Sequence, residues 1–289
     1  MAGEGIRTGN ARSNDRRGRD LLIGLLVPTG PWIAPVIGVF RRAIVFLPSD
    51  GALVTLVDAP GRMEGRSLCH PEGFAALAVF AADRRTSGSD PLYCWDGRRL
   101  RPASGLAGPV LDFLDARIWD PRAGAFPPLS SESRSRARAF LNSLLVREGP
   151  PSIGLRSGAF EVGFLYLRER GDFPACLVGF GPGTTPGGDD WLAGFLCARD
   201  LAAGSFGQGE PELRAELRLN LKRTTPAGKA LLICAVEGVF PVYLYAIAEE
   251  VRRERSRTEL SCAVRAALSH GASSGRDALE GFLEGLGEG

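Results

Sequence analysis

Lysine is nearly absent from this chain. Only Lys222 and Lys229 occur in 289 residues, and arginine carries almost all the positive charge. Histidine is as scarce, with His70 and His270 alone, which leaves no room for a His-rich metal site. The cysteines at 69, 94, 176, 197, 234 and 262 show no metal-ligand spacing. Several lie in apolar runs such as Leu231-Leu232-Ile233-Cys234-Ala235, so buried free thiols and a reducing, cytoplasmic setting are expected. A formal net charge of +2 lacks the basic excess that nucleic acid or an anionic membrane would call for. No unbroken apolar run is long enough to span a bilayer. The apolar stretch after Arg16-Arg17-Gly18-Arg19 is interrupted by Pro28, Gly30, Pro31 and Pro35, which also argues against an export signal. There is no Gly-x-x-x-x-Gly-Lys-Ser/Thr loop and no Gly-x-Gly-x-x-Gly fingerprint in a βαβ unit, so nucleotide binding through those devices is excluded. A serine elbow is missing too, and His270 is too close in sequence to Ser273 and Ser274 to suit a hydrolase triad.

What the chain has is glycine in one place. Leu177-Val178-Gly179-Phe180-Gly181-Pro182-Gly183-Thr184-Thr185-Pro186-Gly187-Gly188-Asp189-Asp190-Trp191-Leu192 runs from an apolar segment through five glycines into a helical pattern. Thr185 suits the N-cap, Pro186 the first helical position, and two acids follow in the opening turns. Glycine in a loop allows sharp turns or close approach. Free N–H groups at a helix start favour an anion.

This loop is echoed twice. Gly275-Arg276-Asp277-Ala278-Leu279-Glu280-Gly281-Phe282 repeats Gly188-Asp189-Asp190-Trp191-Leu192-Ala193-Gly194-Phe195 as Gly-x-Asp-x-Leu-x-Gly-Phe. Thr224-Thr225-Pro226-Ala227-Gly228-Lys229 repeats Thr184-Thr185-Pro186-Gly187-Gly188-Asp189. Positions 190, 230 and 277 are then equivalent and hold Asp, Ala and Asp. If the three starts converge, their partial positive charges add at one point faced by two carboxylates. An anion there leaves room for a cation, and Mg²⁺ on Asp190 and Asp277 is the one cofactor these residues suggest. The two lysines bracket the Thr224–Gly228 loop, and Lys229 is the expected point charge on a phosphate.

These motifs resemble the AllH-like family, whose central pattern runs close to Gly-Leu-Gly-Pro-Gly-Leu-Thr-Pro-Ser-Gly-Asp-Asp-Phe-Leu-Ala-Gly. The Thr pair at 224–225 and Gly271-Ala272-Ser273-Ser274-Gly275-Arg276-Asp277 are similar to its later motifs, and Val36-Ile37-Gly38-Val39-Phe40-Arg41-Arg42-Ala43 to its opening strand. The sequence departs from that pattern at Ala272, where the family usually has His, and at Gly187 and Gly228 or its neighbour, where it usually has Ser. The resemblance implies a subunit of oxamate carbamoyltransferase in allantoin breakdown, a family formerly labelled a carboxylase. It also implies partner subunits and a small anionic, phosphorylated substrate.

The chain is expected to be α+β. A flexible arm over 1–35 precedes a small β-barrel-like domain over 36–128, and a helical domain over 129–289 carries the three glycine-containing loop-helix starts. Ala43–Leu47 and Ala52–Val57 flank Pro48-Ser49-Asp50-Gly51 as a hairpin, and a second pair surrounds Asp96-Gly97. Gly73–Ala82 allows a short helix. Cys69-His70 has no third partner and is read as packing. Helices are expected over 134–147, 160–168, 190–203, 210–222, 258–269 and 276–286. The charged face of Glu210–Lys222 is read as solvated, and Lys229–Val251, kinked at Pro241, as the central buried helix.

Carbamoyl transfer needs positioned donors and no protein nucleophile. The expected catalytic residues are Asp189, Asp190 and Asp277. Those expected to hold substrate are Gly183, Thr184, Thr185, Gly187, Gly188, Thr224, Thr225, Lys229, Ser273, Ser274 and Gly275. The alternatives are a non-catalytic structural or regulatory subunit, with the loops as packing turns, and a carboxylase.

Overall fold

A computed structural model of the protein describes residues 20–103, 107–122, 124–148, 154–254 and 256–287. Most of the expected N-terminal arm, residues 1–19, lies outside the described residues.

The first half is a curled nine-stranded sheet, a half-barrel. Its strands are β1 (Leu22–Gly24), β2 (Trp32–Val39), β3 (Ala43–Phe46), β4 (Val54–Val57), β5 (Ser67–Cys69), β6 (Leu92–Trp95), β7 (Arg99–Pro102), β8 (Leu111–Asp112) and β9 (Arg117–Trp119). They lie in the order β8-β7-β6-β2-β3-β4-β5-β1-β9, antiparallel except at β4–β5 and β1–β9. Both expected hairpins form, pairing Phe46 with Val54 and Trp95 with Leu100. Strand residues 22–24 and 32–35 fall inside the stretch expected to be a flexible arm. Leu22, Trp32 and Ala34 are buried, and their apolar area anchors these residues to the sheet.

Helix α1 (Pro71–Thr86) follows β5 and packs on the sheet with Phe74, Leu77 and Ala81. Alternation along β2 sends Trp32, Ala34 and Val36 into this core, against Phe46, Tyr93 and Trp95. The Cys69-His70 pair is structural. Cys69 is buried in β5, where loss of solvation pushes its thiol up to about 12. His70 Nδ1 accepts the Gly73 amide at 3.0 Å and caps α1.

The second half is helical: α2 (Ser131–Arg147), α3 (Gly158–Arg168), α4 (Gly187–Ala203), α5 (Pro211–Asn220), α6 (Pro226–Val236), α7 (Val242–Arg252), α8 (Arg257–Leu268) and α9 (Ser274–Gly285). The expected central helix over 229–251 is two helices, and the central buried one is α4. The break falls at Gly238, which is left-handed at φ 73°. A Cβ there would stand 2.3 Å from the Gly207 amide nitrogen, so the chain must turn at this contact. Tyr245 Oη holds the turn, donating to the Gly238 carbonyl at 2.6 Å and accepting the Phe240 amide at 3.2 Å.

The face of α5 read as solvated buries one of its charges. Arg214 is 3 % exposed and pairs with Asp200 of α4 at 2.6 Å. Asp200 also accepts the amides of Gly207 and Gly209, and Arg214 donates to the carbonyls of Gly209 and Ala235. Both Asp200 oxygens and all three Arg214 side-chain nitrogens have a partner, which is the condition for burying charge.

Candidate functional site

The α4 and α9 starts share one backbone design. Pro186 carbonyl accepts the amides of Asp189 and Asp190, and Ser273 carbonyl accepts those of Arg276 and Asp277. Residues 186 and 273 are equivalent in the sequence repeat, so the echo is structural. α4 begins at Gly187 rather than Pro186, and Thr185 makes no cap bond. Pro186, whose carbonyl opens the ladder, stands where Thr185 was expected. Thr225 does cap α6, accepting the Gly228 amide at 3.0 Å.

The three starts meet. Asp189 accepts the Gly179 amide at 2.9 Å and the Thr224 hydroxyl, which ties α4 to the loop before α6. Thr225 hydroxyl crosses to the Thr184 carbonyl at 2.6 Å. Asp277 of α9 accepts the Leu155 amide at 3.0 Å, and a Cβ on Gly187 would lie 2.7 Å from its other oxygen. Gly179, Gly181 and Gly183 all take positive φ, which lets the loop fold back over the Thr224 turn.

Several expected donors are spent inside the chain. The Gly188 amide donates to the Phe180 carbonyl and the Gly275 amide to the His270 carbonyl. A Cβ at these positions would stand 2.1 Å from the Leu177 carbonyl and 1.8 Å from the Ala267 carbonyl, so both glycines are there for close packing. Ser274 and Ser273 lie beside Asp190 and Asp277 respectively, where their hydroxyls oppose the upward shift of those carboxyls. Lys229 leaves the cluster, its Nζ donating to the Asp50 carbonyl at 2.5 Å in the turn between β3 and β4. Gly183 and Thr184 sit at the exposed loop tip.

At the centre lie three buried carboxylates: Asp189, Asp190 and Asp277 are 0 %, 3 % and 1 % exposed. Both Asp189 oxygens are engaged, whereas Asp190 Oδ2 and Asp277 Oδ2 have no hydrogen-bond partner. Burial pushes Asp189 and Asp277 each up to about 6. Asp190 is raised well above the usual carboxylate range, first by burial and then by the charges of Asp277, Asp189 and Glu64. Among the described residues, no group of three or more His, Cys, Asp or Glu is placed to hold a metal ion.

Sequence reasoning missed the residues that other segments bring here. Glu64, before β5, is raised to about 7 by burial. Tyr243 of α7 is raised by burial and by Asp190 and Glu64, and its ring lies 4.6 Å from that of His270. Gly154 and Leu155 enclose Asp277: a Cβ on Gly154, at φ 116°, would come within 2.9 Å of its carboxylate. No local motif marks these residues, because their role follows from which segments meet.

Residues 177–286 match the family described as oxamate carbamoyltransferase subunit AllH. Over these residues the chain is AllH-like. The match opens at the glycine loop and covers all three helix starts, while the similar stretch at Val36–Ala43 lies outside it. The matched family is described as a carbamoyltransferase subunit, and the match covers the helical part of the chain alone. No curated protein and no solved structure matches the chain. Among the described residues, no helix is long and apolar enough to cross a membrane.

Proposed function

We propose that this chain holds carbamoyl phosphate, with oxamate or a similar small amide acid, where α4, α6 and α9 begin. The observation that carries the reading is the pair Asp190 and Asp277, buried at two helix starts with one oxygen each unpartnered. An unsatisfied buried polar group costs about 1–3 kcal/mol, and more when charged, so a fold that keeps two of them side by side has a use for them.

The amide nitrogen of the acceptor attacks the carbamoyl carbon, and the bond from that carbon to the phosphate oxygen breaks. Phosphate leaves with the electron pair, and the nitrogen gives up a proton. Asp190 or Asp277, made more basic by burial, takes that proton and passes it to the departing phosphate. The converging helix starts supply partial positive charge to the phosphate oxygens. Mg²⁺ commonly takes one or two carboxylates and completes its shell with phosphate and water. Asp190 and Asp277 fit that donor set, and the ion would supply charge neutralisation beside them.

A second reading, a structural or regulatory subunit, draws on the internal use of the Gly188 and Gly275 amides and both Asp189 oxygens. Titration calorimetry with carbamoyl phosphate, with and without Mg²⁺, on wild type and Asp190→Asn separates the two. Loss of a saturable, Mg²⁺-dependent binding step on substitution supports the transferase site. Equal binding by both proteins places the anion elsewhere, and a folded wild type that binds nothing favours the structural role.

A further inference from the structure

A cleft of about 470 Å³ lies between the sheet and the loop before α9, lined by Arg41, Arg42, Arg62, Glu64, Ser67 and His270, among others. That size suits a small-molecule site. The Phe40 amide donates to the Ala43 carbonyl at 2.8 Å, closing the β2–β3 hairpin as a tight turn with Arg41 and Arg42 at its two central positions. Both side chains are exposed, and among the described residues neither forms an ion pair. Arg62 is shared with Asp58 at 3.2 Å.

Three arginines on one cleft give it a positive potential that would draw in an anion. The one acid on the lining, Glu64, is raised to about 7 by burial, which suppresses the negative charge that would oppose an anion there. His270 is exposed and lines the cleft, where its ring nitrogen is open to a ligand. Its ring contact with Tyr243, which feels the charge of Asp190, joins the cleft to the carboxylate cluster.

A larger cavity is a poorer candidate. It measures about 820 Å³ and carries Arg138, Arg156, Arg168 and Arg276. Three of these are already paired, with Glu161, Glu284 and Glu280. Its positive charge is mostly neutralised from within.

We infer that the Arg41–Arg42 hairpin, with Arg62 and His270, forms a binding site for a phosphate-sized dianion. Arginine forks match the oxygen geometry of such a group, and each charge-assisted bond adds to affinity. The inference rests on the reading above for the molecule that carries the anion, and not for the binding itself. The hairpin stands outside the family match, so it is a contribution of the sheet.

The test is calorimetric titration of the full chain with inorganic phosphate, using wild type, the double variant Arg41→Gln/Arg42→Gln, and Asp190→Asn. The expected result is saturable binding by wild type, weakened at least about tenfold in the double variant, the loss set by one charge-assisted bond. Asp190→Asn, which does not line the cleft, should keep the binding step that the double variant weakens, whatever it loses at the helix starts. Both arginines are exposed, so an unchanged melting temperature shows that the double variant is folded. Phosphate binding that is absent in wild type, or equal in the double variant, overturns the inference. Phosphate binding kept in Asp190→Asn alongside unimpaired turnover would instead overturn the catalytic reading and leave this one standing.

Discussion

Gly194 of α4 lies so close to Ala278 of α9 that a Cβ on it would stand 1.8 Å from the Ala278 carbonyl oxygen. Its repeat equivalent Gly281 stands in the reciprocal position, 1.9 Å from the Trp191 carbonyl on the same test, and residue 191 is the equivalent of 278. Gly285 continues the contact at Phe195. Gly187 meets Asp277, Trp191 meets Gly281 and Phe195 meets Gly285, steps of four residues on both helices, so α4 and α9 run parallel and begin at the same end. That pairing is what places Asp190 beside Asp277.

Gly194→Ala and Gly281→Ala should therefore each destabilise the fold by at least about 2–3 kcal/mol. The obstacle in both cases is backbone, which cannot swing aside as a side chain can. Thermal melting checks this, and an Ala at either position that melts like wild type would mean the helices are further apart than described here.

The Asp200–Arg214 pair gives a second stability test. Asp200→Ala leaves a buried guanidinium and two amides without their acceptor, and should cost about 3–5 kcal/mol in denaturant unfolding. Replacing both residues together with Leu and Met should recover much of the loss, since apolar groups of similar volume carry no desolvation penalty. A single variant within about 0.5 kcal/mol of wild type would contradict the burial of this pair.

Asp277 predicts an unusual pH dependence. Its carboxyl is raised from 3.8 to about 6 in the folded chain, so the native state binds the extra proton between those values. The stability it contributes is fully present below about pH 4 and is lost as the pH rises through about 6. Asp189 is raised alike and adds to the same slope. Asp277→Asn keeps an acceptor for the Leu155 amide but cannot ionise. It should match wild type near pH 4 and melt higher at pH 7 to 8, by an amount on the order of 3 kcal/mol at most. A variant less stable at pH 8 than at pH 4, relative to wild type, would show that the carboxylate has a partner.

Much of this fold can be read locally. The Pro48–Gly51 and Asp96-Gly97 turns mark their hairpins, whereas the cap falls on Thr225, read as a substrate donor, and not on Thr185. The repeat around Asp190 and Asp277 was visible because one backbone design uses the same residues twice. What was not legible depends on partners far along the chain. Apolar content made Lys229–Val251 look like the central helix, but the break at Gly238 comes from its contact with Gly207. Lys229 looked like a phosphate ligand from its neighbours, yet it reaches Asp50 across the sheet turn. Arg214 reads as surface until Asp200 and the end of α6 close around it. Glu64, Tyr243 and Leu155 join the site from three separate segments, and no spacing rule connects them.

The central claim is that Asp190 and Asp277 are kept for chemistry at a cost in stability. The measurement that tests it most directly pairs two readouts on one preparation of Asp190→Asn, assembled with its partner subunits: melting temperature at pH 8, and the rate of carbamoyl transfer between carbamoyl phosphate and oxamate. The account predicts a melting temperature equal to or above that of wild type, and a rate lower by at least about 100-fold, the size of one acid–base contribution. A lower melting temperature with the rate preserved would contradict it and assign these carboxylates to packing.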